Sequence, residues 1–163
     1  MQAVEEERAA RRRRFDSPEQ EAFLSLWRTY DRLKALEDEL FSRYDLTAQQ
    51  YNTLRLLRAA HPEKLPTLVL AGQLVSRAPD ITRLLDRLDE RDLVVRERRP
   101  EDRRTVYVGV TETGIRLLNE LNVEVRACHT RQLGHLTPEE LRQLTDLLRM
   151  ALEPHEPTDS NWR

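Results

Sequence analysis

Asp80-Ile-Thr-Arg-Leu-Leu-Asp-Arg-Leu-Asp-Glu-Arg-Asp-Leu-Val94, continued by Val-Arg-Glu-Arg-Arg-Pro-Glu-Asp-Arg-Arg-Thr-Val-Tyr-Val-Gly-Val110, contains a change of period. Ile81, Leu84, Leu85 and Leu88 fall at i, i+3, i+4 and i+7, the apolar face of a helix, while Pro79, Thr82, Arg83, Asp86 and Arg87 face the other way. After Asp92 the period drops to two. Leu93-Val94-Val95 is β-prone, and Val106, Val108 and Val110 alternate with Tyr107 and Gly109. The pattern predicts two short strands joined by a charged loop from Arg96 to Arg104, a β-hairpin placed directly after a helix.

Upstream, Thr67 is positioned to cap a short helix with Leu70, Ala71 and Leu74 inward, and Val75-Ser76-Arg77 makes a tight connection to a helix starting near Ala78-Pro79-Asp80. Helix, tight turn, amphipathic helix and charged hairpin together spell a helix-turn-helix with a wing. Leu65-Pro66 reads as loop. Before it, Thr47-Ala48-Gln49-Gln50 is a capping box for a helix with Tyr51, Leu54, Leu56 and Leu57 on its apolar side, ended by His61-Pro62. Ser17-Pro18-Glu19-Gln20 opens a long first helix whose stripe of Phe23, Trp27, Tyr30, Leu33 and Phe41 runs to about Tyr44. Downstream, Thr111 caps a helix carrying Ile115, Leu118, Leu121, Val125 and Cys128 as far as Gly134. Thr137-Pro138-Glu139-Glu140 opens a last helix with Leu141, Leu144, Leu148 and Leu152 inward, and Pro154 and Pro157 close the fold.

The fold class is therefore mainly α with a small β-hairpin wing. Residues 1–16 read as a disordered basic arm, 17–153 as the body and 154–163 as a disordered tail. Within the body, residues 47–111 form the winged helix-turn-helix. The helices of 17–44 and 112–153 carry apolar stripes that the few other elements cannot cover, so they are expected to join two copies as a homodimer.

Composition excludes several classes. With 163 residues, 39% of them hydrophobic, the chain can bury one core, and four glycines with 34% charged residues favour helices. A net charge of −2 argues against a protein that coats nucleic acid indiscriminately, so charge has to be read locally. The single Cys128 rules out an intramolecular disulfide or multi-thiolate metal site and suits a reducing cytoplasm. His61, His129, His135 and His155 lack metal-ligand spacing. No run approaches the roughly 18 apolar residues of a membrane span. Neither a phosphate loop nor a nucleophile elbow is present, so neither an enzyme nor a cofactor is expected. Arg11 to Arg14 read as a solvated terminus.

Local charge points to double-stranded DNA. Ala78, Pro79, Thr82 and Arg83 at the start of the amphipathic helix are placed to touch base edges, with Arg77 beside them, and Arg83 can fork onto guanine. Arg87 suits a phosphate. The hairpin holds Arg96, Arg98, Arg99, Arg103 and Arg104 against Glu97, Glu101 and Asp102, a local positive excess in an acidic protein. Arginine enters narrow minor grooves and forks onto phosphates, and Asp102 is placed to brace Arg104.

Residues 80–94 followed by Pro100-Glu-Asp-Arg-Arg-Thr-Val-Tyr-Val108 resemble the recognition helix and wing of the MarR family. Val110-Thr-Glu-Thr-Gly114 is similar to that family's strand-to-helix junction, and Leu136-Thr-Pro-Glu-Glu140 to the start of its last helix. The resemblance implies a homodimer built from the first, fifth and sixth helices that binds a pseudo-palindromic operator, with half-sites about 10 bp apart. It further implies repression relieved by a small phenolic or anionic effector. An Asp-x-Arg motif at the family's wing tip maps onto Asp102 and Arg104, the arginine entering the minor groove. Ala78-Pro79-Asp80 departs from the small hydroxyl residues often found there, so contacts at that helix start differ. Trp27, Tyr30 and Tyr51 read either as core aromatics or as lining of an effector cleft. Some similar regulators sense peroxide through a cysteine near the first helix; Cys128 sits instead on an apolar stripe and reads as an inert buried thiol rather than a redox sensor. The rival to a DNA-binding role is a winged-helix module that recognises protein, which would lack strong salt dependence.

Overall fold

The computed structural model describes residues 15–75 and 80–156. The arginine run at 11–14, the connection Ser76-Arg77-Ala78-Pro79 and Pro157 lie outside the described residues. Residue contacts divide the chain into two units at Glu37 and Asp38.

Helix α1, Pro18–Ser42, begins in the first unit and runs past that boundary. Ser17 Oγ accepts the Gln20 amide at 3.2 Å, and Pro18 sits where a missing N–H has no cost. Gln20 Oε1 reaches back to the amide of Asp16 at 2.8 Å rather than to Ser17, so the cap includes a residue that the sequence assigns to the arm. Phe23 and Trp27, one turn apart, meet at 6.1 Å with their rings tilted by 55°. The N-terminal part of the stripe is exposed: Trp27 is 61% and Tyr30 60% exposed, and Phe23, Leu24 and Leu26 are exposed as well, while Leu33 is half-buried.

In the second unit the end of α1 buries Leu40 and Phe41, and Phe41 stacks on Tyr51 at 4.6 Å. Thr47 and Gln50 form the expected capping box for α2, Ala48–Ala60, with both capping bonds present. Then follow β1 (Leu65–Pro66), α3 (Thr67–Gln73), α4 (Ile81–Asp89), β2 (Val94–Arg99), β3 (Asp102–Val110), α5 (Glu112–Leu133) and α6 (Pro138–Leu152). The core is Leu54 and Leu57 of α2, Leu70 of α3, Leu85 and Leu88 of α4, Val94, Val108, and Leu118 and Leu121 of α5. Each such side chain contributes about 1.5–3 kcal/mol by leaving water. Glu124 of α5 braces the end of α1, accepting the Tyr44 hydroxyl and pairing with Arg43 at 2.6 Å.

Several elements differ from the pattern-based expectation. Leu65-Pro66 is a strand, not a loop: it pairs antiparallel with β3, Leu65 opposite Val108, giving a sheet of order β1-β3-β2. Two residues carry no period of their own, so only the partner strand makes them β. Thr67 does not cap α3; Pro66 holds that position, and the Thr67 hydroxyl donates to Val106 O at 2.9 Å. The hairpin strands run on through most of the segment expected to be loop, leaving Pro100 and Glu101 between them, with a register shift at Arg98 and Arg99. Cross-strand pairing overrides the weak β preference of Arg and Glu. Gly134 caps α5 at an ordinary negative φ; a Cβ there would stand 2.5 Å from Thr130 O, so close approach rather than a left-handed turn requires glycine. Gly114 is similar, because a Cβ would lie 2.4 Å from Leu93 O where β2 meets the first turn of α5. Helix α6 has the expected capping box at Thr137 and Glu140, yet no residue of it is buried. Leu147 and Met150 are 64% and 68% exposed, Leu148 and Leu152 are exposed too, and Leu141 and Leu144 are half-buried. The segment expected to be tail continues in a single 3-10 turn, Glu153–His155.

Candidate nucleic-acid interface

Helix α4 is nine residues long and divided by its period. Asp80 caps it, accepting the Arg83 amide at 2.9 Å, so the carboxylate favours the positive end of the helix dipole. Leu84, Leu85 and Leu88 are buried, and Thr82, Arg83 and Arg87 are exposed. The far end is anchored by Arg91, whose guanidinium donates to the carbonyls of Asp45 at 2.5 Å and Tyr44 at 3.1 Å. Sequence reasoning misses Arg91, because its partners are backbone atoms more than forty positions away. An open cleft of about 320 Å³ lies between the start of α2 and α4, lined by Thr47, Gln49, Gln50, Asp80, Arg83, Leu84 and Arg87. Tyr51 is not among its lining residues.

The wing sorts its charges by strand alternation. On one face Arg96 turns toward α4 and pairs with Asp86 at 2.7 Å and Asp89 at 2.9 Å. Asp86 therefore does not simply face solvent with Arg83 and Arg87. On the other face Lys64 pairs with Glu97, Glu97 lies 4.0 Å from Arg99, and the Arg99 guanidinium sits 3.9 Å above the Tyr107 ring. Gly109 makes room for this row, since a Cβ there would meet Lys64 Cγ at 2.8 Å. Arg98 donates to the carbonyl of Arg103 at 2.7 Å across the turn. Arg103 and Arg104 are exposed, and among the described residues neither guanidinium has an ion pair. Of the sequence-predicted contacts, α4 thus carries Thr82, Arg83 and Arg87, and the wing carries Arg98, Arg99, Asp102, Arg103 and Arg104. Arg77, Ala78 and Pro79 lie outside the described residues.

Asp102 braces the tip in a different way from the one its spacing suggests. Its Oδ1 accepts the backbone amides of Arg104 and Thr105, both at 3.2 Å, so it fixes the turn and leaves the Arg104 side chain unpaired by it. Hydrogen bonding from Thr105 holds the Asp102 carboxyl below the ordinary aspartate range. A depressed folded-state value means that the contribution is present above the unfolded-state value and lost as pH falls through the folded one. In an NMR titration the Thr105 amide is expected to report a midpoint below that of an aspartate in an unstructured peptide; a midpoint at or above it would show that the bond to the turn is absent in solution.

Cys128 is buried on α5, as its apolar stripe predicts. Among the described residues no helix is long and apolar enough to cross a membrane.

A family model described as Transcriptional regulator SarA/Rot matches residues 35–121, just over half of the chain. The crystal structure of a MarR transcription factor from Planctomyces limnophilus is 58% identical, covering 83% of this chain and 98% of that one, with a TM-score of 0.67. A mutant MarR from Escherichia coli complexed with operator DNA is 27% identical over 78% of this chain and 90% of its own, with a TM-score of 0.70. BpsR of Bordetella bronchiseptica, whose DNA binding is described as regulated by 6-hydroxynicotinic acid, is 25% identical over 80% of this chain and 98% of its own, with a TM-score of 0.72. The homoprotocatechuate degradative operon repressor of Escherichia coli is 28% identical over 109 residues, 67% of this chain and 72% of that protein. A helix-turn-helix with an arginine-tipped wing and this degree of identity lead to one conclusion: the chain belongs to the MarR family of winged-helix transcriptional regulators, which bind DNA and are not enzymes.

Proposed function

We propose that the protein is a homodimeric repressor that reads a pseudo-palindromic operator with α4 in the major groove and the wing on the adjacent minor groove and backbone. In this reading Thr82 and Arg83 meet base edges, joined by Ala78 and Pro79 from the preceding connection, while Arg77 and Arg87 meet phosphates. Arg103 and Arg104 reach the minor groove, and Arg98, Arg99 and Asp102 shape the wing beneath them. The observation that carries the proposal is the distribution of arginines. In a chain of net charge −2, Arg83, Arg87, Arg103 and Arg104 stand exposed on the two elements that the family uses against DNA, with no ion pair to any described residue.

The exposed apolar residues of α1 and α6 support the dimer. Nine large aliphatic and aromatic side chains of a mainly helical chain would otherwise face water on those two helices alone, namely Phe23, Leu24, Leu26, Trp27, Tyr30, Leu147, Leu148, Met150 and Leu152. Repression is supported by the Escherichia coli operon repressor, and release by a small molecule by the Bordetella protein. A phenolic or anionic effector that favours another separation of the two DNA-binding lobes would lower operator affinity by population shift. Trp27, Tyr30 and Tyr51 are the aromatic groups proposed to meet it. The working compartment is the cytoplasm, where chromosomal DNA is accessible.

Selection of bound duplexes from a random pool at near-physiological salt is expected to enrich a palindrome, and Arg104→Ala is expected to lose that enrichment. Failure of the wild-type protein to enrich any sequence, together with weak dependence of binding on salt, would transfer the proposal to protein recognition.

A further inference from the structure

We infer that Arg96 is a positioning residue that sets the wing against α4, and that it does so without itself touching DNA. The inference rests on the DNA-contact reading above. At its base the hairpin is held by the core, through buried Val94 and the Leu93 amide that donates to Leu88 O at 3.0 Å. Pairing with β1 backs β3 only as far as Tyr107, opposite Glu97, and beyond that the hairpin is a two-stranded ribbon, a structure with little rigidity of its own. Arg96 stands two residues beyond Val94 on the same face of β2, and its guanidinium makes three contacts to α4: Nη1 to Asp86 Oδ1 at 2.7 Å, Nη2 to Asp89 Oδ2 at 2.9 Å and Nε to the same oxygen at 3.2 Å. Two carboxylates one helical turn apart are thus gripped by one planar fork, a geometry that a lysine ammonium cannot reproduce. Asp86 and Asp89 remain partly exposed, at 48% and 43% of the side chain, so without Arg96 they would stand unneutralised beside Arg83 and Arg87 on a helix meant to meet phosphates. The arginine therefore joins two contact elements into one body and cancels the charge that would oppose their docking.

A pair this exposed adds little to folding stability, so variants at Arg96 are expected to melt close to wild type. Affinity is measured with the full chain for the duplex most enriched by selection and for an unselected duplex, across a series of salt concentrations. Arg96→Met is expected to weaken the enriched duplex about tenfold with an unchanged slope of log K against log salt, whereas loss of a true phosphate contact lowers that slope by about one unit. Arg96→Lys, which keeps the charge and loses the fork, is expected to behave like Arg96→Met. In an Asp86→Asn background, where no second carboxylate opposes it, the exchange Asp89→Arg with Arg96→Asp rebuilds one bridge with the charges reversed and is expected to bind at least about threefold more tightly than Arg96→Asp alone in that background. A reduced slope in Arg96→Met with wild-type binding by Arg96→Lys would overturn the inference and make Arg96 a phosphate contact. Wild-type binding by all the variants would overturn it as well. If Arg83→Ala and Arg104→Ala also bind as wild type, the DNA-contact reading itself falls, and the positioning role falls with it.

Discussion

Leu88→Ala is expected to lower the free energy of unfolding by about 2–5 kcal/mol, the usual cost of deleting a buried leucine and leaving a cavity. Leu88 is fully buried on α4, and its carbonyl receives the Leu93 amide that turns the chain from helix into wing. Its removal therefore loosens the core at the point where the two proposed DNA-contact elements diverge. Single domains are stable by only about 5–15 kcal/mol, so the loss is a large fraction of the whole. Urea unfolding followed by circular dichroism measures it. A shift below about 1 kcal/mol would mean that the site collapses around the smaller side chain and that α4 is held from elsewhere.

Arg83→Ala is expected to leave unfolding within about 0.5 kcal/mol of wild type, as for most exposed positions, while costing about 1–3 kcal/mol of specific binding. The guanidinium is exposed on the open cleft beside Arg87, and only its backbone amide takes part in the Asp80 cap. Loss of a bidentate base contact should relax preference at one base pair of each half-site more than it weakens binding to unselected duplex. Comparison of selected pools from wild type and variant tests this. An identical base preference with uniformly lower affinity would reassign Arg83 to the phosphate backbone and leave base reading to other residues of the helix start.

Helix α4 has two faces, with Leu88 toward the core and Arg83 away from it, and the same 3.6-residue period makes both readable in the sequence. The capping boxes at Thr47 and Thr137, the Thr111 cap and the hairpin after Asp92 are legible for the same reason, since each depends on residues only a few positions apart. Arg91 and Lys64 were not legible. Their partners, the carbonyls of Tyr44 and Asp45 for one and Glu97 for the other, come near only when the chain has folded. The role of Asp102 was legible in kind and not in detail, because a carboxylate two residues before an arginine can bond either its side chain or its amide, and the turn geometry selects the amide.

By itself, the sequence determined the helices, the caps at Thr47, Thr111 and Thr137, the winged helix-turn-helix order and the clustering of arginine on α4 and the hairpin, because local periodicity and short-range hydrogen bonding encode them. Only the tertiary structure decided that Leu65-Pro66 is a strand, that Arg96 is spent on Asp86 and Asp89 while Arg103 and Arg104 are not, and that Phe41 of the α1 stripe is buried while Trp27 and Tyr30 of α1 and Leu148 and Leu152 of α6 are exposed. These outcomes depend on which surfaces meet. A strand needs a partner, a charge is neutralised only by what lies within a few ångströms, and an apolar face is core only if something covers it.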